Sequence, residues 1–130
     1  MLGAVNYPIT IAEMLNYTKD AERFFEVEEH EALKSLLAWN PENGMVLDGT
    51  GGVRVLQWPS RKTGRLVSVI YYFRDLNMPL YILALYRRAI PLSPEWRAEL
   101  KGLVNELVAH HREGWRTIIL AQLKSGKEPA

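Results

Sequence analysis

Between residues 53 and 87 the chain sets three apolar runs against two short polar breaks. The runs 53–58, 66–73 and 80–87 are rich in β-branched and aromatic residues, which predicts strands. The breaks PSRKTGR and RDLNMP are short enough for antiparallel hairpins. Upstream the period lengthens. Over 28–39, Ala32, Leu33, Leu36 and Leu37 recur at helical spacing, and Asn40-Pro41 ends the pattern because proline disfavours helical backbone in the residue before it. Thr10-Ile11-Ala12-Glu13 has the form of a capping box and predicts a short helix to about Tyr17. Asn43-Gly44 and the glycines at 49–52 read as turns. Ser93-Pro94 sets a capping hydroxyl and an N1 proline ahead of Trp96, Leu100, Leu103, Val104, Leu107 and Val108, which predicts a helix over 94–112. Gly114 is expected to interrupt it. Beyond, Trp115, Ile118, Ile119 and Leu123 make a separate apolar face.

Helices, then a meander of strands, then a helix predict an α+β fold: helices on one face of a small antiparallel sheet, the other face partly open. At 130 residues the chain suits one domain with one hydrophobic core. Phe24, Phe25, Trp39, Trp58 and Trp96 are assigned to that core. With 48% hydrophobic and 24% charged residues the composition is that of a soluble globular protein. The chain has no cysteine, so no disulfide or thiolate metal site can form. The N-terminus lacks a signal-peptide pattern, and no apolar run approaches the roughly 20 residues that span a bilayer. A cytoplasmic protein without membrane contact is expected.

Known chemical motifs are scarce. The glycines at 49–52 precede a strand, whereas a phosphate-cradling loop follows a strand and opens a helix. His110 and His111 point apart on a helix and His30 is distant, so no metal-ligand spacing exists. No Gly-x-Ser-x-Gly elbow occurs. Neither cofactor nor metal is expected.

Charge changes the picture. Residues 13–48 hold nine acids and three bases, whereas 54–88 hold seven bases (Arg54, Arg61, Lys62, Arg65, Arg74, Arg87 and Arg88) against Asp75 alone. The net charge is only +1, yet such a block presents a local positive field to a polyanion. Tyr71, Tyr72, Tyr81 and Tyr86 lie among these arginines. Tyrosines interleaved with arginines can stack bases while guanidiniums hold phosphates, although half-buried sheet tyrosines are the commoner case.

The succession of local patterns is similar to a known family. Asn40-Pro41-Glu42-Asn43-Gly44, then 46–54 (VLDGTGGVR), then Val69-Ile70-Tyr71-Tyr72, then 78–86 (MPLYILALY) resemble the RelE/HigB-type toxins of bacterial toxin–antitoxin pairs. The likeness covers about residues 5–110, and sets off 1–113 as a toxin domain from a C-terminal extension at 114–130. It implies a compact α+β domain that cleaves messenger RNA on the translating ribosome and is held inactive by an antitoxin, often a helix-turn-helix repressor. In that chemistry the RNA 2′-hydroxyl attacks the adjacent phosphate, and fixed cations stabilise the growing charge.

Carried over position by position, the resemblance implies catalytic roles for Arg54 and Arg88. Arg65 is assigned one as a displaced cation of the neighbouring loop, with Arg61, Lys62, Tyr72, Arg74, Tyr86 and Arg87 expected to contact RNA. The resemblance also exposes gaps. Where the family carries cations, this chain has Val55, Gln57 and Ser68, which strand alternation places on one face. Either the charge has moved, with Arg61, Lys62 and Arg65 reaching over the site from their loop, or the nuclease has decayed into an RNA- or antitoxin-binding module. The 115–123 segment offers a surface for a homodimer, or packs on its own core.

Overall fold

The computed structural model describes residues 5–87 and 93–125, with side chains to Glu113. In chain order they form β1 (Ile11–Glu13), α1 (Leu15–Phe24), α2 (Val27–Trp39), β2 (Met45–Val46), β3 (Val53–Pro59), β4 (Leu66–Tyr72), β5 (Leu80–Tyr86) and α3 (Pro94–Ser125). The five strands make one open sheet in the order β1-β5-β4-β3-β2. β2, β3, β4 and β5 pair antiparallel; β1 joins the edge of β5 in parallel. The protein is an α+β fold with helices packed on a small mixed sheet.

Three details depart from the sequence reading. Residues 11–13 are a strand. The Leu80 amide donates to the Thr10 carbonyl at 2.9 Å, and the Met14 amide to the Ile82 carbonyl at 3.0 Å. Pairing with an open sheet edge satisfies these groups directly, while a short helix bears an unrecovered nucleation cost. Helix α1 therefore starts at Leu15, without a side-chain cap, and runs on to Phe24. The capping box does exist, but at Glu26 and Glu29, where it opens α2. Gly114 does not interrupt α3, whose helix continues through it.

The helices also cover both faces of the sheet. On one face α1 and α2 bury Tyr17, Ala21, Phe24, Leu33 and Leu37 against Val67, Val69, Tyr71, Leu80, Ile82 and Leu85. On the other, α3 brings Leu100 and Val104 onto Val53, Ile70, Tyr72 and Leu83. Strand alternation makes this possible: β4 is buried on both sides from Val67 to Tyr72. Trp39, assigned to the core from sequence, is 43% exposed. It ends α2, where the chain has already turned away at Pro41.

One residue switches the pattern within β5. Ile70 pairs with Ala84 but Tyr71 pairs with Ile82, so Leu83 is a bulge. Before it Tyr81 faces α3; after it Ala84 and Tyr86 do, while Leu85 turns to the α1 face. A bulge re-aims every side chain that follows it.

A single carboxylate joins α2 to the β3–β4 hairpin. Glu29 is 4% exposed. Its Oε1 accepts from the Glu26 amide at 3.4 Å, and its Oε2 from the Trp58 indole at 3.2 Å and the Arg61 amide at 2.9 Å. Glu29→Ala should cost about 2–4 kcal/mol in urea denaturation, because it leaves three donors without their acceptor. Glu29→Gln should cost less, since an amide oxygen still accepts.

His30 gives the fold a pH dependence. It lies between Tyr17 and Phe25, at ring distances of 5.6 and 6.0 Å, and its Nε2 is 3.5 Å from the Glu13 carboxylate. Burial lowers its pKa from 6.5, outweighing the upward pull of Glu13. A depressed histidine stabilises the fold above its unfolded pKa, and that contribution fades as pH falls through the lower folded value. The denaturation midpoint should therefore drop on acidification below about pH 6.5. His30→Gln should flatten that part of the profile.

Candidate nucleic-acid interface

The cationic residues do not form one surface. Arg54 pairs with Tyr71 across β3 and β4, six positions along the strand from Arg65 and thus about 20 Å away. Its guanidinium donates to the Glu42 carbonyl at 3.1 Å and the Gly44 carbonyl at 2.8 Å. The Gly44 amide in turn donates to the Tyr71 hydroxyl at 2.7 Å. Arg54 thus holds the 42–44 turn against the sheet, and its Nε is buried without a partner. Arg74 lies past the far end of β4, 3.9 Å from Asp75. The structure does not bring Arg54 or Arg74 to Arg65.

The face expected to work is also covered. Val55 packs under α3 and Tyr72 is 5% exposed. Burial raises the Tyr72 pKa, with nearby Arg74 pulling the other way, and its ring is closed to a base. Gln57, Ser68 and Tyr86 form one row across three strands. Gln57 is exposed but Ser68 is buried. Tyr86 is half-buried, its ring edge-on to Trp96 and its hydroxyl accepting the indole N–H at 2.9 Å. A cation introduced at 68 would have to be buried, and one at 55 partly so.

The loop after β3 leans the other way, towards α1. Lys62 donates to the Glu22 carbonyl at 2.7 Å, in the last turn of α1 where free carbonyls favour a cation. The Ser60 hydroxyl donates to the Phe24 carbonyl, and Ser60 N and Arg65 O close the loop at 2.9 Å. Glu29 fixes the Arg61 amide; the Arg61 side chain is exposed and lines a shallow depression with Glu28, Ala32 and Trp58. These ties correct the expectation that the loop cations overhang the Gln57–Ser68 row. The end of α1 takes Lys62 instead, while the Arg61 side chain lies beside α2.

That leaning creates a cleft of about 570 Å³ between α1 and the adjoining ends of β4 and β5. Its floor is apolar, from Phe24, Val67 and Leu85; Arg23, Arg65 and Arg87 bring positive charge to it from three elements. Asp20 is the single carboxylate among its described lining residues, which also include Thr63 and Leu66. Among the described residues no carboxylate lies within ion-pair distance of these three guanidiniums. Arg87 instead sits 5.8 Å over the Phe24 ring. Unneutralised arginines around an apolar floor suit a phosphate-bearing ligand with a flat apolar part.

Arg65 and Arg87 belonged to the sequence-predicted set; Arg23 did not. The spacing of Tyr17, Ala21 and Phe24 (i, i+4, i+7) was the available signal, because it extends the helix past Tyr17 and carries Asp20 and Arg23 to the cleft. Arg88 and the 126–130 tail lie outside the described residues, as do the side chains of 115–123 on which self-association would rest. Among the described residues no three His, Asp or Glu side chains group to hold a metal. No helix of the described residues is long and apolar enough to cross a membrane. No family model matches the chain.

Arg54→Ala should lower stability by about 1–3 kcal/mol, since it frees two carbonyls and leaves the 42–44 turn unsupported. Gly44→Ala should behave alike, because a Cβ there would come 2.7 Å from the Tyr71 hydroxyl and 2.8 Å from the Val55 carbonyl. Urea denaturation measures both. A fully stable Arg54→Ala protein would remove the structural role.

Proposed function

We propose that this protein is a toxin of the RelE/HigB type, cleaving messenger RNA and held in check by an antitoxin. The observation that carries the reading is the cleft in which Arg23, Arg65 and Arg87 meet without ion-pair partners. The resemblance of residues 5–110 supplies the reaction class; the cleft supplies a place where phosphoryl charge can grow against fixed guanidiniums. In that reaction the 2′-hydroxyl oxygen bonds to phosphorus and the 5′-oxygen leaves, giving a cyclic phosphate and a free 5′-hydroxyl. Asp20 is the carboxylate at hand to take the 2′-hydroxyl proton, and water supplies the proton that the departing 5′-oxygen takes up. Each fixed group that stabilises charge in a transition state can contribute about 3–4 kcal/mol. Loss of cations from the Val55–Gln57–Ser68 positions is therefore compatible with activity only if the cleft replaces them.

The antitoxin, a small helix-turn-helix protein in this reading, has an acidic surface to meet. Glu28 and Glu31 are exposed on α2, away from the cleft. The ribosome, with its RNA, would be engaged from the cationic hairpin side.

A second reading has its own support: an RNA- or antitoxin-binding module without nuclease activity. The uncharged Gln57–Ser68 row and the covering helix α3 favour it. Expression in a bacterium from a tightly repressed promoter separates the two. A toxin should arrest growth and produce new messenger RNA ends inside translated regions. Arg65→Ala and Arg87→Ala should relieve the arrest while circular dichroism stays unchanged. Continued growth, with RNA binding that weakens steeply as salt rises, would favour the module. Neither arrest nor salt-dependent binding would overturn both.

A further inference from the structure

We propose that two copies of this chain pair through the edge strand β2, with Val46 of each against Val46 of the other and the two sheets joined into one. The inference makes no use of the RNA reading. It rests on what the sheet leaves without a partner at one edge.

The register identifies the free groups. The Leu47 amide donates to the Val53 carbonyl at 2.8 Å, and Met45 and Val46 stand opposite Val55 and Arg54. Bonded and non-bonded positions alternate along an antiparallel pair, so the Val46 N–H and C=O point away from β3. β2 ends the sheet, and among the described residues nothing receives them. Met45 is 72% and Val46 44% exposed, because α3 covers Val53, Ile70, Tyr72 and Leu83 but not β2. Open edges are ordinarily guarded by a charge, a proline or a bulge. The opposite edge has such a guard: Glu13 on β1, with His30 and Lys34 at 3.5 and 3.6 Å. From Asn43 to Leu47 there is none.

A second copy of the same strand fits this edge. Set antiparallel about Val46, the two copies exchange both hydrogen bonds at that residue, and Met45 of each comes opposite Leu47 of the other. Every apolar side chain of the strand then has an apolar neighbour. The flanking acids avoid one another, since Glu42 comes opposite Thr50 and Asp48 opposite Gly44. Both copies present the same patch, as a closed two-fold interface requires. The two β3 strands stand three strand spacings apart, about 14 Å, whereas packed helices need only about 8–10 Å, so the two α3 helices have room. The cleft lies by Leu66 and Val67, at the other end of β4 from the residues beside β2, and stays open in both copies. One residue's pair of hydrogen bonds and a few apolar side chains make a small interface, which predicts a weak dimer.

Sedimentation velocity and amide NMR on the full chain test this over about 5 to 500 µM, the range of a weak complex. The mass should rise with concentration from one chain towards two, and the Met45, Val46 and Leu47 amides should shift with it. Val46→Lys and Val46→Glu should each weaken dimerisation at least about tenfold, because each sets like charges opposite one another. Mixed together, the two variants should dimerise again, which a contact anywhere else would not produce. Circular dichroism and the urea midpoint should stay near wild type, since the position is half-exposed. Should a variant at 46 unfold, Met45→Lys, at the more exposed neighbour, takes its place with the same expected loss. Val27→Lys, an equally exposed apolar position on α2, should change nothing. A chain that stays monomeric at the highest concentration would overturn the proposal. So would a dimer that ignores Val46→Lys, that is lost only on removing residues 114–130, or that the mixed variants fail to restore.

Discussion

The buried carboxylate of Glu29 is the constraint on which the functional geometry depends. One side chain closes the first turn of α2, holds the Trp58 indole and fixes the Arg61 amide where the hairpin begins. A charge that is 4% exposed is tolerable only because three donors replace the water it lost. From that fixed point the loop runs to Ser60 and Lys62, whose bonds to the Phe24 and Glu22 carbonyls finish α1. The hairpin thus serves as the C-cap of one helix and an anchor for the start of another. The Arg61 backbone is thereby fixed, while its side chain is exposed.

The second determinant is the bulge at Leu83. Without an extra residue, alternation along β5 would send residue 87 to the face of Tyr81, under α3. With it, Leu85 joins the α1 core and Arg87 reaches the Phe24 ring. Leu83 and Ala84 both pack towards α3, which also tightens the sheet's hold on that helix. One inserted residue therefore both completes the cleft and closes the opposite face.

The three long strands, α2 and the start of α3 were legible because each carries a clean period: two in Val69 and Tyr71, near 3.6 in Leu33 and Leu37. The Asn40-Pro41 stop and the glycine turn at 49–52 were legible for steric reasons, and Gly51 and Gly52 do have positive φ. What escaped was set by distant partners. Ile11–Glu13 is a strand only because β5 offers an open edge, and three residues hold no period of their own. The bulge has no local signature at all. Arg54 looked functional by position in a motif, but its partners are carbonyls twelve and ten residues back, a contact that no strand pattern encodes. Arg23 was hidden by the same mistake that ended α1 early.

These displacements share one cause. A sheet face can be packed or it can be charged, since a buried cation without a partner costs far more than a few ångströms of relocation. Here α3 lays Leu100, Val104 and Trp96 over the sheet, so that face must carry small or apolar groups: Val55, Ser68 and Ala84 are what such packing demands. Positive charge is then left to the strand ends and loops, where it remains hydrated. The last turn of α1 is the nearest feature that attracts it, because its unpaired carbonyls are the negative end of a helix. Lys62 answers those carbonyls, which leaves Arg65 and Arg87 free of them and facing a recess rather than a helix end. A cation set displaced for packing reasons thereby gains what an open sheet face lacks, an apolar pocket beside it.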